Sequence, residues 1–456
     1  MLFSACRVGK NYQRPEVLLP KKFGDVSFSD TSSIADLPWN VFFEDVALQA
    51  LINKGLTENF DLQIAIKRID IAQQQLRQAK LLVLPQVDLQ VSGQYNRPSK
   101  NSVSGLSTSS FLGSNYIENY NANLNLSWEI DIWGKIRRQK EGVLAQYLQT
   151  AEAKKAVQTQ LVSEISQAYF NLLMLDKQLS IAQKNLRLSD STLELTRLLK
   201  GAGEVNQLAV QQAEAQNQTT ALLIPQLEQA IAIQENALQV LTGNLPARVE
   251  RNAGQTRTNS FADLPAGLPA SILSRRPDIR ANEMALVAAN AYAGVAQGNM
   301  YPSLIILGTG GLESFRSSNW FNIPNSLFGI ASGVVLQPIF RSRALKTQFE
   351  IAKIQREQAV LQFRQSVLTA VSEVSNALIV IEKIKQQEEM AAKRAANLKN
   401  TIANARLLFK SDMANYLEVI TAQSNALQAE LDLALIQRQQ EGARIELYRA
   451  LGGGWR

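Results

Sequence analysis

Residues 86–96 alternate between apolar and polar side chains. Val87, Leu89, Val91 and Tyr95 fall on one face of an extended chain. Gln86, Asp88, Gln90, Ser92, Gln94 and Asn96 fall on the other. Residues 121–132 repeat the pattern, with Ala122, Leu124, Leu126, Trp128, Ile130 and Ile132 opposed to Asn121, Asn123, Asn125, Ser127, Glu129 and Asp131. A period of two predicts strands with two unlike faces. About ten such residues also suffice to cross an outer membrane at a tilt, although a half-buried sheet in a soluble sandwich has the same pattern. Strands are expected at 86–97, 117–132, 303–314 and 327–340. The last two are rich in Gly, and their faces are not assignable from the sequence. Residues 97–119 and 314–326, rich in Ser, Asn and Gly, read as surface loops.

The pattern then changes period. Leu161, Ile165, Ala168, Leu172, Leu175, Leu179, Ala182 and Leu186 recur at alternating spacings of four and three, which is a coiled-coil seam. Val367, Val371, Val374, Leu378 and Ile381 behave alike inside a proline-free run. Long helices are predicted at 135–199, 205–242, 342–409 and 414–451. The first would measure about 100 Å, and helices of that length need partner helices to cover the seam. The pairs turn over at 200–207 and 409–416. Lys200-Gly-Ala-Gly203 breaks the first, and Ser411-Asp412 is suited to cap a helix in the second. Pro225 lies within a helical stretch and predicts a kink.

The chain repeats itself. Asp61, Pro85 and Gly93 match Asp278, Pro302 and Gly310 at an offset of 217. Val162-Ser-Glu-Ile-Ser-Gln-Ala168 matches Val371-Ser-Glu-Val-Ser-Asn-Ala377 at 209, as do Asn206 with Asn415 and Gly243 with Gly452. Two structural repeats, 45–242 and 278–451, are therefore expected, each reading helix, strand, strand, long helix, helix. Residues 243–277 form an insert between them and 452–456 a short tail. Residues 7–44 read as an extended arm because Pro15, Pro20 and Pro38 oppose helix.

Composition narrows the function. The chain has 456 residues, no His and a single Cys, so His relays, Cys/His metal clusters and internal disulfides are excluded. No cofactor or metal is expected. The net charge of +7 is spread along the chain without a basic cluster, so no nucleic-acid partner is expected. No apolar run is long enough for a transmembrane helix. Four membrane-length strands cannot close a barrel, and open edges in lipid would leave backbone groups unpaired. Three copies supply twelve strands and gather twelve helices into a hollow tube. The fold class is thus mainly α with a membrane β-barrel: a trimeric twelve-stranded barrel continued by a twelve-helix α-barrel.

Several motifs resemble one family. They are Tyr12-Gln-Arg-Pro15 after Cys6, Asp131-Ile-Trp-Gly134, Arg276-Pro-Asp-Ile279, Ala288-Ala-Asn290 with Tyr301-Pro-Ser303, and the ending Leu447-Tyr-Arg-Ala-Leu-Gly-Gly-Gly-Trp455. Over nearly the whole chain these are similar to the TolC-like outer-membrane efflux proteins, the lipoprotein factors of tripartite resistance-nodulation-division (RND) pumps. The resemblance implies a homotrimer with a periplasmic tunnel, working with a periplasmic adaptor and an inner-membrane RND pump. It implies a passive duct for drugs, toxic compounds or metal ions, and no catalysis. It also implies that Ser4-Ala5-Cys6 closes a truncated lipoprotein signal, residues 1–6, with Cys6 acylated and held in outer-membrane lipid.

The family's gate lies at the helical tips. Acidic residues often follow the second tip; here Glu418 is kept and Thr421 stands where a second acid often sits. The gate candidates are Lys200, Glu204, Arg406, Lys410, Asp412, Tyr416 and Glu418. Arg406, Lys200 and Lys410 are expected to pair with Glu204, Asp412 and Glu418 within or between subunits. A type I protein secretion outlet and a periplasmic coiled-coil adaptor are the competing functions. An enzyme built on Arg275, Arg276 and Asp278 is disfavoured, because Pro277 is suited to start a helix with Asp278 in its first turn.

Overall fold

The structure, a computed structural model of one chain, describes residues 8–17, 19–20, 33–251, 271–411 and 413–456. The chain divides into two compact units. One comprises Met1–Pro15, Asp70–Gln149 and Asn282–Phe363; the other comprises Glu16–Ile69, Thr150–Ala281 and Arg364–Arg456. In order, the elements are α1 (Trp39–Phe42), α2 (Val46–Glu58), α3 (Phe60–Leu81), β1 (Gln86–Asn96), α4 (Val103–Leu112), β2 (Ile117–Ile130), α5 (Lys135–Gly201), α6 (Gln207–Leu241), α7 (Ile272–Arg275), α8 (Pro277–Gly298), β3 (Ser303–Ser314), β4 (Leu327–Leu336), α9 (Ala344–Lys410) and α10 (Tyr416–Ala450).

The repeat is visible element by element. Helices α3 and α8 have 22 residues each. Helices α5 and α9 have 67 each, and α6 and α10 have 35 each. Asn206 and Asn415 both cap the helix that follows, their side chains accepting from the backbone N–H of Ala209 and Glu418. This corrects the expectation for Ser411-Asp412: Asn415 is the cap. The caps also explain why α6 and α10 start at 207 and 416 rather than 205 and 414. Helix α6 runs through Pro225 without interruption.

Other ends move for local reasons. Strand β2 stops at Ile130, not 132, because the Asp131 carboxylate accepts from the N–H groups of Ile136 and Arg137 and so starts α5. Strand β4 stops at Leu336, ahead of Pro338, and Ser342 and Arg343 take φ of 46° and 63°, which delays α9 to Ala344. The stretch 97–119 is not all loop. Ser102 accepts from the N–H of Gly105 at 3.1 Å and initiates α4, which Gly113 ends at φ +64°.

In the first unit the four strands form one antiparallel sheet in the order β1-β2-β3-β4. The residues after Val8 are fastened to this unit. Arg138 donates from Nε to the Val8 carbonyl at 3.1 Å, and Arg14 grips Glu283 of α8 with two bonds of 2.6 Å. Tyr12 donates to the same carboxylate at 3.0 Å, so the Tyr12–Pro15 motif has a docking role. Burial and the neighbouring Glu283 push the Tyr12 phenol well above its ordinary pKa.

In the second unit the core gathers the coiled-coil seam. Leu161, Ile165, Leu172 and Ala182 of α5 are buried with Leu48 and Ile52 of α2, Leu238 of α6 and Tyr448 of α10. The buried Tyr169 ring ends in a hydroxyl that donates to Asp45 at 2.8 Å. The Tyr448 hydroxyl donates to the Leu37 carbonyl at 2.7 Å, and burial pushes its pKa up to about 12. Arg251 fastens the start of the insert to the long helices, donating to both oxygens of Asp176 and to Glu235. No described helix is long and apolar enough to cross a membrane.

Candidate functional site: a two-faced sheet and paired helix tips

The register assigns the faces that the Gly-rich strands conceal. Leu124 pairs with both Leu89 and Gly310, Leu126 with Val87 and Gly308, and Ala122 with Val91 and Leu312. Across the last pair, Gly308 meets Ala331, Gly310 meets Gly329 and Leu304 meets Val335. One face is therefore wholly apolar or glycine at these rows. No described residue covers it: Leu89 is 71% exposed, Leu124 54% and Val335 70%. Such a surface is not left in water by a stable soluble domain. Aromatic side chains sit at its end. Trp128 donates from its indole to the Val83 carbonyl, and Trp133 donates to Pro302 and lies 5.2 Å from the Tyr301 ring.

The other face of β1 and β2 is a ladder of amides. Asn123 donates to Asn125 at 2.8 Å, and Asn125 donates to Gln90 at 3.1 Å and accepts from Thr309 at 3.0 Å. Asn119 donates to Glu313 at 3.3 Å. Pairs of this kind need water or one another and would be costly against lipid. Strands β1 and β4 each pair on one side only, so the sheet ends in two open edges.

The tips belong to the second unit. Gly203, at φ +81°, lets the Glu204 N–H reach the Leu199 carbonyl at 2.9 Å. The second tip makes the equivalent bond, Met413 N–H to the Leu408 carbonyl at 2.9 Å. Lys200, Glu204, Lys410 and Glu418 are exposed, and Arg406 is half-buried. Among the described residues of one chain, none of these five forms an ion pair with another. Lys200 donates instead to Gln207. Asp412 lies outside the described residues, as does Cys6. Tyr416 packs on a buried cluster of Leu193, Val210, Ala213 and Ile420, which ties α10 to both helices of the first tip.

An asymmetry between the halves was not anticipated from the sequence. Arg197 pairs with Glu214 at 3.5 Å. The repeat counterparts are Arg406 and Gln423, and Gln423 is turned away to Thr192, donating to its hydroxyl at 2.8 Å. Among the described residues, Arg406 thereby lacks the intrachain acid that its repeat mate has. Lining up the halves at the 209-residue offset carries the signal: an acid in one copy is an amide in the other.

Arg276, Asp278 and Glu373 make a structural knot. The Arg276 side chain is only 5% exposed. It donates to both oxygens of Asp278, to Glu373 at 2.6 Å and to the Ala450 carbonyl at 3.0 Å. Burial alone would raise the Asp278 carboxyl, but the bond and charge of Arg276 outweigh it and hold it below its ordinary range. Arg275 pairs with Asp36 at 2.6 Å. No group of three potential metal ligands occurs among the described residues.

Comparison with known proteins agrees with this geometry. The chain matches the outer membrane efflux protein family over residues 51–244 and 268–453. It is 30% identical to the Escherichia coli cation efflux system protein CusC over all of this chain and 97% of that one. It is 29% identical to the Salmonella typhimurium probable outer membrane lipoprotein SilC over all of this chain and 97% of that one. A crystal structure of CusC, in work on its transmembrane channel formation, superposes with a TM-score of 0.88 at 28% identity, covering 98% of this chain and 100% of that one. The match runs through both repeats of the chain, and the protein belongs to the outer membrane efflux protein family.

Proposed function

We propose that three copies of the chain form the outer-membrane channel of a tripartite efflux system. The observation that carries this is the sheet with a bare apolar face and two open edges. Pairing β4 of one copy with β1 of the next closes twelve strands without an edge, turns the apolar face to lipid and the amide ladder to water. The long helices continue it as a twelve-helix tube. The duct is passive: a periplasmic adaptor and an inner-membrane RND pump deliver drugs, toxic compounds or metal ions to it, and no step is catalysed. The name of CusC, a cation efflux protein, supports metal ions among the substrates.

The tips narrow the periplasmic end. Arg406, without the acid of its repeat mate, is available to Asp412, Glu204 or Glu418 of its own or a neighbouring copy. Lys200 and Lys410 add charge at the same turns, and Tyr416 holds the tip helices together. Exposed pairs contribute only about 0–1 kcal/mol each, so three copies bias a tip that a docked adaptor overcomes. Purified protein should be trimeric by native mass measurement and should conduct in planar bilayers. Arg406→Ser with Asp412→Ala should raise single-channel conductance, and Glu418→Ala should lower cation preference. A stable monomer with intact β signal sinks the barrel. Unchanged conductance and selectivity in intact trimers removes these residues from the gate.

Cys6 is the proposed lipid anchor, and the name of SilC, an outer membrane lipoprotein, supports it. Labelled fatty acid should enter the protein and be lost in Cys6→Ser, whose trimers persist because closure depends on strand pairing. Wild-type protein that takes up no label refutes the anchor.

A further inference from the structure

We propose that the barrel wall favours organic cations with an apolar body, through a strip made by Ile305, Leu307, Phe328, Ile330 and Val334 working with Asp88 and Glu313. The inference rests on the closed-barrel reading above. The register puts the strip on the same face as the amide ladder. Asp88 pairs with Asn125, Asn125 with Thr309, and Thr309 with Ile330, so one row across the sheet runs from a carboxylate through two neutral polar groups to an apolar side chain. The neighbouring row runs Gln90, Asn123, Gly311, Phe328. On the other side, Ser127 meets Leu307, and Glu129 meets Ile305, which meets Val334. The face that is polar on β1 and β2 is thus apolar on much of β3 and β4. Ile330 is 64% exposed there. A wall whose only task was to be wet would not carry these residues, since each exposes apolar area to water.

Charge completes the argument. The four strands contain no Lys or Arg. Their acids are Asp88, Glu118, Glu129 and Glu313. Glu118 pairs in register with Tyr95 and so lies on the lipid-facing side, while the other three lie on the lumenal side. Glu129 is neutralised by Lys135, whereas Glu313 accepts only from the uncharged Asn119 among the bonds described for it. Closing the sheet places β4 about 5 Å from β1 of the next copy, so the strip lies between the Asn–Thr ladder of its own chain and the Asp88 face of its neighbour. A small hydrated cation gains from the carboxylates and nothing from the strip. An anion is repelled. A lipophilic cation gains from both, and apolar surroundings strengthen its attraction to the carboxylates.

The test uses full-length trimers in planar bilayers, with tetraphenylphosphonium, tetraphenylborate or tetramethylammonium added on the barrel side. Tetraphenylphosphonium should interrupt the current at a concentration roughly tenfold below the other two. Ile330→Thr with Val334→Thr, which keeps β-branched side chains, should raise that concentration roughly tenfold. Asp88→Asn with Glu313→Gln should erase the difference between the phosphonium and the borate. Conducting wild-type channels that respond equally to all three ions overturn the proposal and leave the channel reading intact, whether or not the variants assemble. Trimers that never conduct overturn the channel reading itself.

Discussion

Replacing Arg276 with Met should cost the helical unit about 2–4 kcal/mol, a large loss for a single side chain. The guanidinium is buried and serves three elements at once: Asp278 at the start of α8, Glu373 on α9, and the Ala450 carbonyl at the end of α10. Met fills the space but leaves Asp278 without its guanidinium partner and the Ala450 carbonyl without its side-chain donor, and Glu373 keeps only the longer contact to Arg449 at 3.4 Å. The penalty is that of the orphaned groups, which exceeds the worth of the intact cluster. Asp278→Asn should cost far less, because Asp278 is 42% exposed and Arg276 keeps Glu373. The readout is the denaturant midpoint of the helical signal. Equal midpoints for Arg276→Met and wild type sink the argument.

The same cluster sets a pH response. Asp278 is held below its ordinary carboxyl range in the folded chain, so it binds its proton more readily when unfolded. Its contribution is complete above that ordinary range, near pH 4, and is lost as pH falls through the lower folded value. Arg276 is held above its ordinary value by Asp278 and Glu373 despite burial, and keeps its charge throughout. Acid should therefore weaken wild type more than Asp278→Asn.

Most of the fold was legible because its period is long and repeated. The 209-residue offset found in Val162–Ala168 and Val371–Ala377 reappears as two helices of 67 residues and two of 35. The alternation in β1 and β2 fixed their faces. In β3 and β4 it did not, because Gly308, Gly310, Gly329 and Gly333 occupy positions where the apolar face needs no side chain of its own. Leu126 beside Gly308 shows why: its Cβ lies 3.6 Å from where a glycine Cβ would stand. Only the register separates such residues from turn glycines. Helix α4 was hidden for another reason. Its Ser-rich sequence reads as loop until Ser102 is seen capping it. The tips were legible as turns, but their ion pairing was not. Lys200 donates to an amide, and Arg406 forms no ion pair among the described residues.

The turns that end the two halves give the second large effect. Gly243 closes α6 at φ +71°, with Asn244 N–H returning to the Gln239 carbonyl at 2.8 Å. A Cβ there would stand 2.4 Å from the backbone oxygen of Glu58, at the end of α2. Gly452, its counterpart after α10, has φ +93° and would place a Cβ 2.9 Å from the Arg275 carbonyl. Each half thus closes its last helix tightly against the backbone that leads into its first one. Gly203 at the tip has φ +81° as well, but nothing lies within 4 Å of its missing Cβ. The three glycines therefore separate conformational strain from collision. Gly203→Ala should cost about 1 kcal/mol, the strain of positive φ alone. Gly243→Ala should cost roughly 2–4 kcal/mol, because a backbone oxygen has to move as well. Gly452→Ala should fall between them, since its collision is milder. Denaturant midpoints of the three variants, measured side by side in one detergent, give the order. Equal losses at Gly203 and Gly243 would mean that α2 yields freely to α6, and that the close approach of Glu58 does not constrain the fold.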